Sequence, residues 1–147
     1  MTDIDSADQA QEAFYSAFEN GDLDAMAVLW DRSDTVVCVH PHGPELLGYE
    51  EIMESWREIL GSTSGFRITV EILEQFDTEQ LAVRFVAETL FNEAGRSDSV
   101  TVLATNAYRK SESGWRMVLH HASPVHRAAE EAGAGSAEDW DTDVTLH

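Results

Sequence analysis

The side chains best suited to chemistry lie near the end of the chain, in the segment Gly114–Pro124, which has the pattern of a strand. Alternate side chains of a strand share a face. His121 is therefore predicted on the same face as Trp115 and Met117, which is the more apolar face and the one assigned to the core. His120 is predicted on the opposite face.

A second strand is predicted over residues 100–110, joined to the first by a turn-forming link at 111–114. If the two form a tight hairpin, directly opposed residues share a face. This hairpin would bring an amide, a phenol and an imidazole onto one apolar surface. The predicted register pairs Lys110 with Trp115, Tyr108 with Met117, Asn106 with Leu119 and Ala104 with His121.

These three polar groups have one chemical and one structural interpretation. As chemistry, His121 would move a proton next to a carbonyl, with Tyr108 as acid or oxyanion donor and Asn106 orienting them. As structure, the same groups would satisfy one another inside a core, since buried polar groups need partners. We predict His121, Tyr108 and Asn106 as the catalytic residues, with a non-catalytic binding or dimerisation module as the alternative.

A metal-dependent site is a third hypothesis. His40 and His42 lie two residues apart, and with His121 and a carboxylate such as Glu88 they would supply mixed nitrogen and oxygen ligands. However, Pro41 interrupts the alternation, and no metal-ligand motif of known spacing is present. We therefore assign no metal ligand and predict no cofactor.

Aromatic side chains are predicted to line a small-molecule pocket. Such sites combine apolar and aromatic walls with a few polar groups. The same side chains would otherwise be ordinary core residues, because aromatics on helical or strand stripes usually are. The predicted lining residues are Tyr15, Trp30, His40, Trp56 and Trp115.

Two sequence patterns predict the helices and strands that position these residues. Helical spacing indicates a helix that opens at Ser6 and ends at Gly21, a short helix capped by Asp22, and a third from Tyr49 to Leu60. Alternation indicates strands at 35–40, 66–72 and 81–91 besides the two of the hairpin. The face on which Glu88 lies is left open, because the loop before residue 100 hides the register.

Helices gathered before a meander of strands indicate an α+β fold. We predict a conical, strongly curved antiparallel sheet wrapped around the N-terminal helices, with a pocket at its open end. Residues 1–126 form this domain, and residues 127–147 form an acidic tail whose composition favours mobility. Homodimerisation through the sheet is expected from the mixed face of the strand at 81–91, on which Val86 and Leu90 stand beside Arg84 and Glu88.

Charge and composition limit the classes of partner that this chain can bind. The chain of 147 residues carries 28 acidic and 9 basic side chains, and such a surface repels nucleic acid and anionic membranes. An ordinary solubilising surface and adaptation to high salt both remain open. Cys38 is alone, so no intrachain disulfide forms. No signal pattern or long apolar run is visible, and a cytoplasmic location is expected.

Several segments together resemble the SnoaL-like (polyketide cyclase-like) branch of the nuclear transport factor 2-like superfamily. They are Phe14 to Asp22, Val39-His40-Pro41 with Gly43 and Gly48, Ser55-Trp56, and Gly114-Trp115-Arg116 with His121 and Ser123.

The resemblance implies a cone-shaped α+β fold with a deep pocket and dimerisation through the sheet. Members of the superfamily include isomerases, cyclases, dehydratases and non-catalytic binding domains, so the fold alone does not supply a function. Ketosteroid isomerase-like members use a pocket carboxylate as base, and Glu88 is the nearest candidate for it here. The expected function is a pocket for a small apolar carbonyl-bearing molecule, with proton transfer of isomerase, cyclase or lyase type.

Overall fold

The computed structural model describes residues 3–62, 66–92 and 99–125. The acidic tail predicted for residues 127–147 lies outside these residues. Three helices and six strands follow one another along the described chain. They are α1 (Ala7–Asn20), α2 (Leu23–Leu29), β1 (Val37–Val39), β2 (Glu45–Leu47), α3 (Tyr49–Ser62), β3 (Phe66–Asp77), β4 (Leu81–Asn92), β5 (Ser99–Ser111) and β6 (Gly114–Pro124).

The helix boundaries follow the predicted capping residues. Ser6 Oγ accepts a hydrogen bond from the backbone N–H of Gln9 and so satisfies a free donor of the first turn of α1. Gly21 ends α1 with a φ of 65°, a left-handed conformation that glycine adopts without steric cost. Asp22 caps α2 through the N–H of Ala25. These three predictions are confirmed.

The strands form one open sheet in the order β2-β1-β6-β5-β4-β3. All neighbouring pairs are antiparallel except β1 and β6, which run parallel. The short strand β2 was not predicted, because the turn at Pro44 precedes it and only three residues pair. The α+β class and the curved sheet over the helices are confirmed.

The helices cover one face of the sheet, the helix-facing face. On β4 this face carries Ala82, Arg84, Val86 and Glu88, all buried. Arg84, Val86 and Glu88 therefore do not mark an outer surface, and the expectation of dimerisation cannot rest on them. In the larger core cluster, α1, α2 and α3 pack against β5 and β6 near their hairpin turn. This cluster contains Trp30, Trp56 and Trp115.

A second apolar cluster lies further along the helix-facing face. Its buried members come from the three central strands: Val86 on β4, Val102 and Ala104 on β5, and Ala122 on β6. Tyr15, Val70 and Leu90 pack against them and are partly exposed. Glu88 lies on the same face of β4, between Val86 and Leu90 of this second cluster.

The predicted register of the β5–β6 hairpin holds only near its turn. Lys110 pairs with Trp115 and Tyr108 with Met117, as expected. The register then shifts between Ala107 and Tyr108, because Val118 is one extra residue in β6. Beyond this bulge every β6 side chain changes face. Asn106 pairs with His120 instead of Leu119, and Ala104 pairs with Ala122 instead of His121.

Candidate functional site

A continuous set of buried polar side chains lies between α1 and the helix-facing face of β4, β5 and β6; we call it the polar cluster. Each neighbour in it is within hydrogen-bond distance of the next. Its members are Gln11, Tyr15, Glu88, Asn106, Tyr108 and His120.

Helix α1 supplies its part of the cluster through helical spacing. Gln11 and Tyr15 are four residues apart and lie one above the other on the face that meets the sheet. Asp8 and Glu19 extend the same stripe at its two ends, since Asp8 bonds Arg84 and Glu19 bonds the backbone N–H of Ile68. This polar stripe beside the apolar one is the sequence signal for Gln11, and it was not used in the prediction.

Glu88 is the acidic member of the cluster. Its side chain is 3 % exposed, and Tyr15 donates its hydroxyl to Glu88 Oε2 at 2.5 Å. In the part of the chain that the structure describes, no basic side chain pairs with this carboxylate. Burial raises the pKa of Glu88 to about 7, and the hydrogen bond from Tyr15 only partly offsets that effect. A carboxyl group of this kind can take up and release a proton at neutral pH.

Asn106 connects the two halves of the cluster. Its Nδ2 donates to the Tyr15 hydroxyl at 2.9 Å and to Gln11 Oε1 at 3.2 Å. The Tyr108 hydroxyl donates to the same Gln11 oxygen at 2.6 Å. Burial raises the pKa of both tyrosines far above the usual range, so each hydroxyl keeps its proton.

His120 closes the cluster, and His121 does not belong to it. His120 Nδ1 lies 2.6 Å from Asn106 Oδ1, and the imidazole is almost fully buried. Burial lowers the pKa of His120 to about 3, so the ring is neutral. The prediction that His121 shares the interior face with Asn106 and Tyr108 is wrong. The bulge at Val118 turns His121 to the outer face, where it is exposed.

A smaller polar group stands beside the cluster. His40 Nε2 lies 3.0 Å from Ser55 Oγ and 3.6 Å from Cys38 Sγ. Burial lowers the pKa of His40 and raises that of the Cys38 thiol, so the imidazole is held neutral and the thiol protonated. A protonated buried thiol is a weak nucleophile, and Cys38 packs as a small core residue.

The aromatic residues predicted to line the pocket have different surroundings. Trp56 and His40 pack together with ring centroids 4.8 Å apart, and Trp56 lies 6.2 Å from His120. Tyr15 is inside the polar cluster. Trp30 and Trp115 are buried in the larger core cluster, which also contains Trp56. A cleft of about 240 Å³ does involve Trp115, but Asp8, Asp77 and Arg84 line it instead of the predicted catalytic residues.

The histidines of the metal hypothesis are not brought together. His42 is exposed in the turn after β1, and His121 lies on the outer face. Within residues 3–62, 66–92 and 99–125, no group of three or more His, Cys, Asp or Glu side chains is arranged to hold a metal ion.

Three buried donors have no hydrogen-bond partner among the described residues: Gln11 Nε2, Trp30 Nε1 and Trp56 Nε1. Gln11 belongs to the polar cluster, and Trp56 lies next to its member His120. Such orphaned groups cost about 1–3 kcal/mol each when nothing pairs with them. The cluster therefore has hydrogen-bond donors at or beside it that its own members do not pair.

No helix among the described residues is both long and apolar enough to cross a membrane.

Comparison with solved structures identifies the fold. A protein from Thiobacillus denitrificans, a candidate calcium/calmodulin-dependent protein kinase type II association domain, is 37% identical with a TM-score of 0.79; the match covers 86% of this chain and 100% of that one. A candidate dehydratase of the NTF2-like family from Streptomyces avermitilis is 32% identical with a TM-score of 0.72, over 80% and 91% of the two chains. A ketosteroid isomerase-like protein from Erwinia carotovora atroseptica, 21% identical over 81% and 93% at a TM-score of 0.64, shares the fold.

Sequence comparison gives a plant relative and the family. The F-box protein SKIP8 of Arabidopsis thaliana is 30% identical over 110 residues, which are 75% of this chain and 46% of that protein. The chain thus spans about half the length of this curated relative. The family model of the SnoaL-like domain matches residues 7–127 of this chain. The chain belongs to the SnoaL-like domain family, within the NTF2-like fold.

Proposed function

We propose that this domain binds a small, neutral, carbonyl-bearing molecule against the polar cluster and moves a proton next to the carbonyl. Glu88 is the base, in place of His121. The observation that carries the proposal is the buried Glu88 carboxylate, which has Tyr15 as its one hydrogen-bond partner among the described residues and a pKa of about 7. A base with a pKa near the working pH combines a large ionised fraction with useful basicity.

The surroundings of Glu88 suit an apolar ligand. Val86, Val102, Ala104 and Ala122 form the buried apolar surface on its strand and the next two, and all four side chains are small or branched. Small side chains beside one carboxylate resemble the lining of small-molecule sites. A buried negative charge with no cation beside it disfavours carboxylates and phosphates as ligands.

Gln11 is the proposed donor to the carbonyl oxygen. Its Oε1 accepts from Asn106 and Tyr108, which fixes the amide, and its Nε2 is buried and unpaired among the described residues. A fixed N–H group aimed where negative charge develops stabilises an enolate. Gln11 stands one helical turn from Tyr15, and hence about 6 Å along α1 from the residue that holds the base. Asn106 and Tyr108 then act as positioning residues.

The test needs no knowledge of the natural substrate. Purified protein is mixed with simple ketones, such as cyclohexanone and 2-cyclopentenone, in deuterated buffer, and exchange of the α-hydrogens is followed by proton NMR. We expect wild-type protein to accelerate exchange, with a rate that rises with pH through about 7 as Glu88 ionises. Glu88→Gln should lower the catalysed rate about a hundredfold or more.

Glu12→Gln is the matched control, because Glu12 is an exposed carboxylate on the same helix as Gln11 and Tyr15. It should keep the wild-type rate. Exchange no faster than buffer for any ketone, or equal rates for wild type and Glu88→Gln, would contradict the proposed chemistry.

A second candidate function is association of the domain with a second copy of itself, and the outer face of the sheet supports it. Phe76, Val83 and Phe85 stand there, with Phe76 64 % exposed. The described helices lie against the other face. Exposed apolar patches of this kind mark interaction surfaces. Further apolar residues on the outer face are Val37, Val39, Leu103, Ala107 and Leu119.

The charges on the outer face also favour a second copy. Although the chain has 28 acidic and 9 basic side chains, the described strands place three residues of each sign on this face. They are Arg67, Arg109 and Arg116 against Glu45, Glu71 and Glu74. Two acidic molecules repel each other least where the local charge is balanced. The similarity to a candidate association domain agrees with this role.

Light scattering coupled to size exclusion tests the association. The wild type should be a dimer at micromolar concentration, and Phe85→Glu on the outer face should make it a monomer. Val100→Glu is the control, because Val100 is 56 % exposed on the same sheet but at a helix-facing position. It should leave the dimer intact, and a monomeric wild type would contradict this second role.

A further inference from the structure

The hydrogen bonds of the polar cluster have a fixed direction. An ionised Glu88 can only accept, so the Tyr15 hydroxyl donates to it and the oxygen of Tyr15 is left as an acceptor. Asn106 Nδ2 supplies that acceptor with a proton at 2.9 Å, and a second one to Gln11 at 3.2 Å. The amide oxygen of Asn106 must therefore face His120.

This direction determines the tautomer of His120. An amide oxygen has no proton to give, so His120 Nδ1 carries the proton of the 2.6 Å contact with Asn106 Oδ1. The ring is neutral and has only this one N–H. Its Nε2 is consequently an acceptor, and it makes no hydrogen bond to any residue that the structure describes. The imidazole is 2 % exposed.

An unpaired donor stands beside this unpaired acceptor. Trp56 Nε1 carries an obligatory N–H and has no partner among the described residues, and the Trp56 side chain is fully buried. The ring centroids of Trp56 and His120 are 6.2 Å apart. Both rings pack against Phe14, at 5.6 Å and 4.8 Å. These two neighbouring groups, one a donor and the other an acceptor, thus both lack a partner among the described residues.

We propose that Trp56 Nε1 and His120 Nε2 form a binding site for one hydroxyl group, which accepts from Trp56 and donates to His120. A hydroxyl is the small group that has both a lone pair and a proton to offer. The hydroxyl belongs to the bound ligand or to an internal water, and the two sources share this chemistry. As a ligand site it rests on the proposed small-molecule function and narrows the ligand to a neutral hydroxylated compound.

Nuclear magnetic resonance on the full-length, ¹⁵N-labelled protein tests both halves of the site. The ring nitrogens of His120 should show a protonated Nδ1 and a bare Nε2. The indole proton of Trp56 should show a rotating-frame cross-peak either to water, which identifies an internal water, or to added phenol, which identifies a ligand hydroxyl. A protonated Nε2 on His120, or an indole proton with neither cross-peak, would overturn the proposal.

A pair of probes measures the selectivity. Phenol and fluorobenzene are close in size, but only phenol carries a hydroxyl. Where phenol is the occupant, wild type should bind it more tightly than fluorobenzene by about three- to tenfold, the value of one neutral hydrogen bond. Trp56→Phe should remove that preference. Where water is the occupant, Trp56→Phe should instead shift the ¹⁵N resonance of His120 Nε2, because the water that donates to it loses its indole partner.

Trp30→Phe is the matched control. Trp30 has the same buried and unpaired indole N–H, but it makes no ring contact with His120 in the described part of the chain. It should lose packing as Trp56→Phe does and keep the hydroxyl signals. If the cross-peaks and the tautomer are absent while Glu88-dependent ketone exchange persists, the hydroxyl site fails and the proposed function stands. If exchange fails while the cross-peaks persist, the reverse holds.

Discussion

Asn106 stands directly opposite His120, with Oδ1 and Nδ1 2.6 Å apart, although strict alternation from the hairpin turn would place His121 on that face. One extra residue, Val118, makes the difference. It lets a neutral histidine enter the polar cluster and puts its sequence neighbour on the outer face. The chemistry of the interior therefore depends on a backbone irregularity in β6.

Alanine substitutions at the two adjacent histidines should have very different effects. His120→Ala leaves a cavity and removes the donor to Asn106 Oδ1, which should lower the free energy of unfolding by about 2–4 kcal/mol. His121→Ala removes an exposed side chain and should change it by less than about 0.5 kcal/mol. Urea denaturation of the two variants measures this difference. Equal losses, or a larger loss for His121→Ala, would contradict the register.

The fold was predictable because its signals are local. Ser6, Gly21 and Asp22 mark helix ends through their own hydrogen bonds or backbone freedom, and periodicity locates the long strands. The bulge at Val118 has no such signal, since it depends on how β6 meets both β1 and β5. An error of one residue in register exchanges the two faces. The histidine of the interior cluster was consequently predicted to be His121 instead of His120.

Substitution of Glu88 should change stability in a pH-dependent way. Its folded-state pKa of about 7 lies above the ordinary 4.5, so the protonated form is favoured by folding. The corresponding stability is fully present below pH 4.5 and is lost as the pH rises through 7. Because Glu88→Gln cannot ionise, it should be more stable than wild type at pH 8 by up to about 3 kcal/mol. At pH 4.5 the two should be similar.

Thermal and urea unfolding across pH 4.5–8 measure this effect. Glu12→Gln, an exposed carboxylate on α1, provides the comparison and should show no such trend. A Glu88→Gln variant that is less stable than wild type at pH 8 would mean that the charge of Glu88 is paired in solution.

Tyr15→Phe should raise the pKa of Glu88 further. The Tyr15 hydroxyl stabilises the ionised carboxylate, and its hydrogen bond is the contribution that lowers the pKa of this group. Asn106 Nδ2 also loses an acceptor, so the free energy of unfolding should fall by about 1–3 kcal/mol. Titration of Glu88, followed through its carboxyl carbon by ¹³C NMR, shows whether its pKa rises or falls in the variant. An unchanged or lower pKa would show that water, and not Tyr15, solvates Glu88.

Glu88 and Gln11 show why the interior cluster was only partly found from the sequence. Asn106 and Tyr108 were predicted from polar residues on an apolar strand face, and Tyr15 was predicted as an aromatic residue that lines the pocket. The face of Glu88 required the register between β4 and β5, in which Glu88 pairs with Val102, and the intervening loop length gives no clue to it. Gln11 was visible as a polar residue four positions before Tyr15, but a polar stripe on a helix more often faces solvent than a sheet.

Arg84 should depend more on Asp77 than on Asp8. Its side chain is 3 % exposed, and the guanidinium donates two hydrogen bonds to Asp77, at 2.9 and 3.3 Å, but only one to Asp8, at 2.8 Å. The Asp8 side chain is 81 % exposed, so water screens that pair. Asp77→Asn should therefore cost about 1–3 kcal/mol of unfolding free energy, because the buried cation loses its two-pronged partner. Asp8→Asn should cost about 0.5 kcal/mol.

Urea unfolding at low and high salt compares the two variants, and only the loss of stability in Asp8→Asn should shrink with salt. An equal or larger loss for Asp8→Asn would mean that the contact with α1 is the main partner of Arg84.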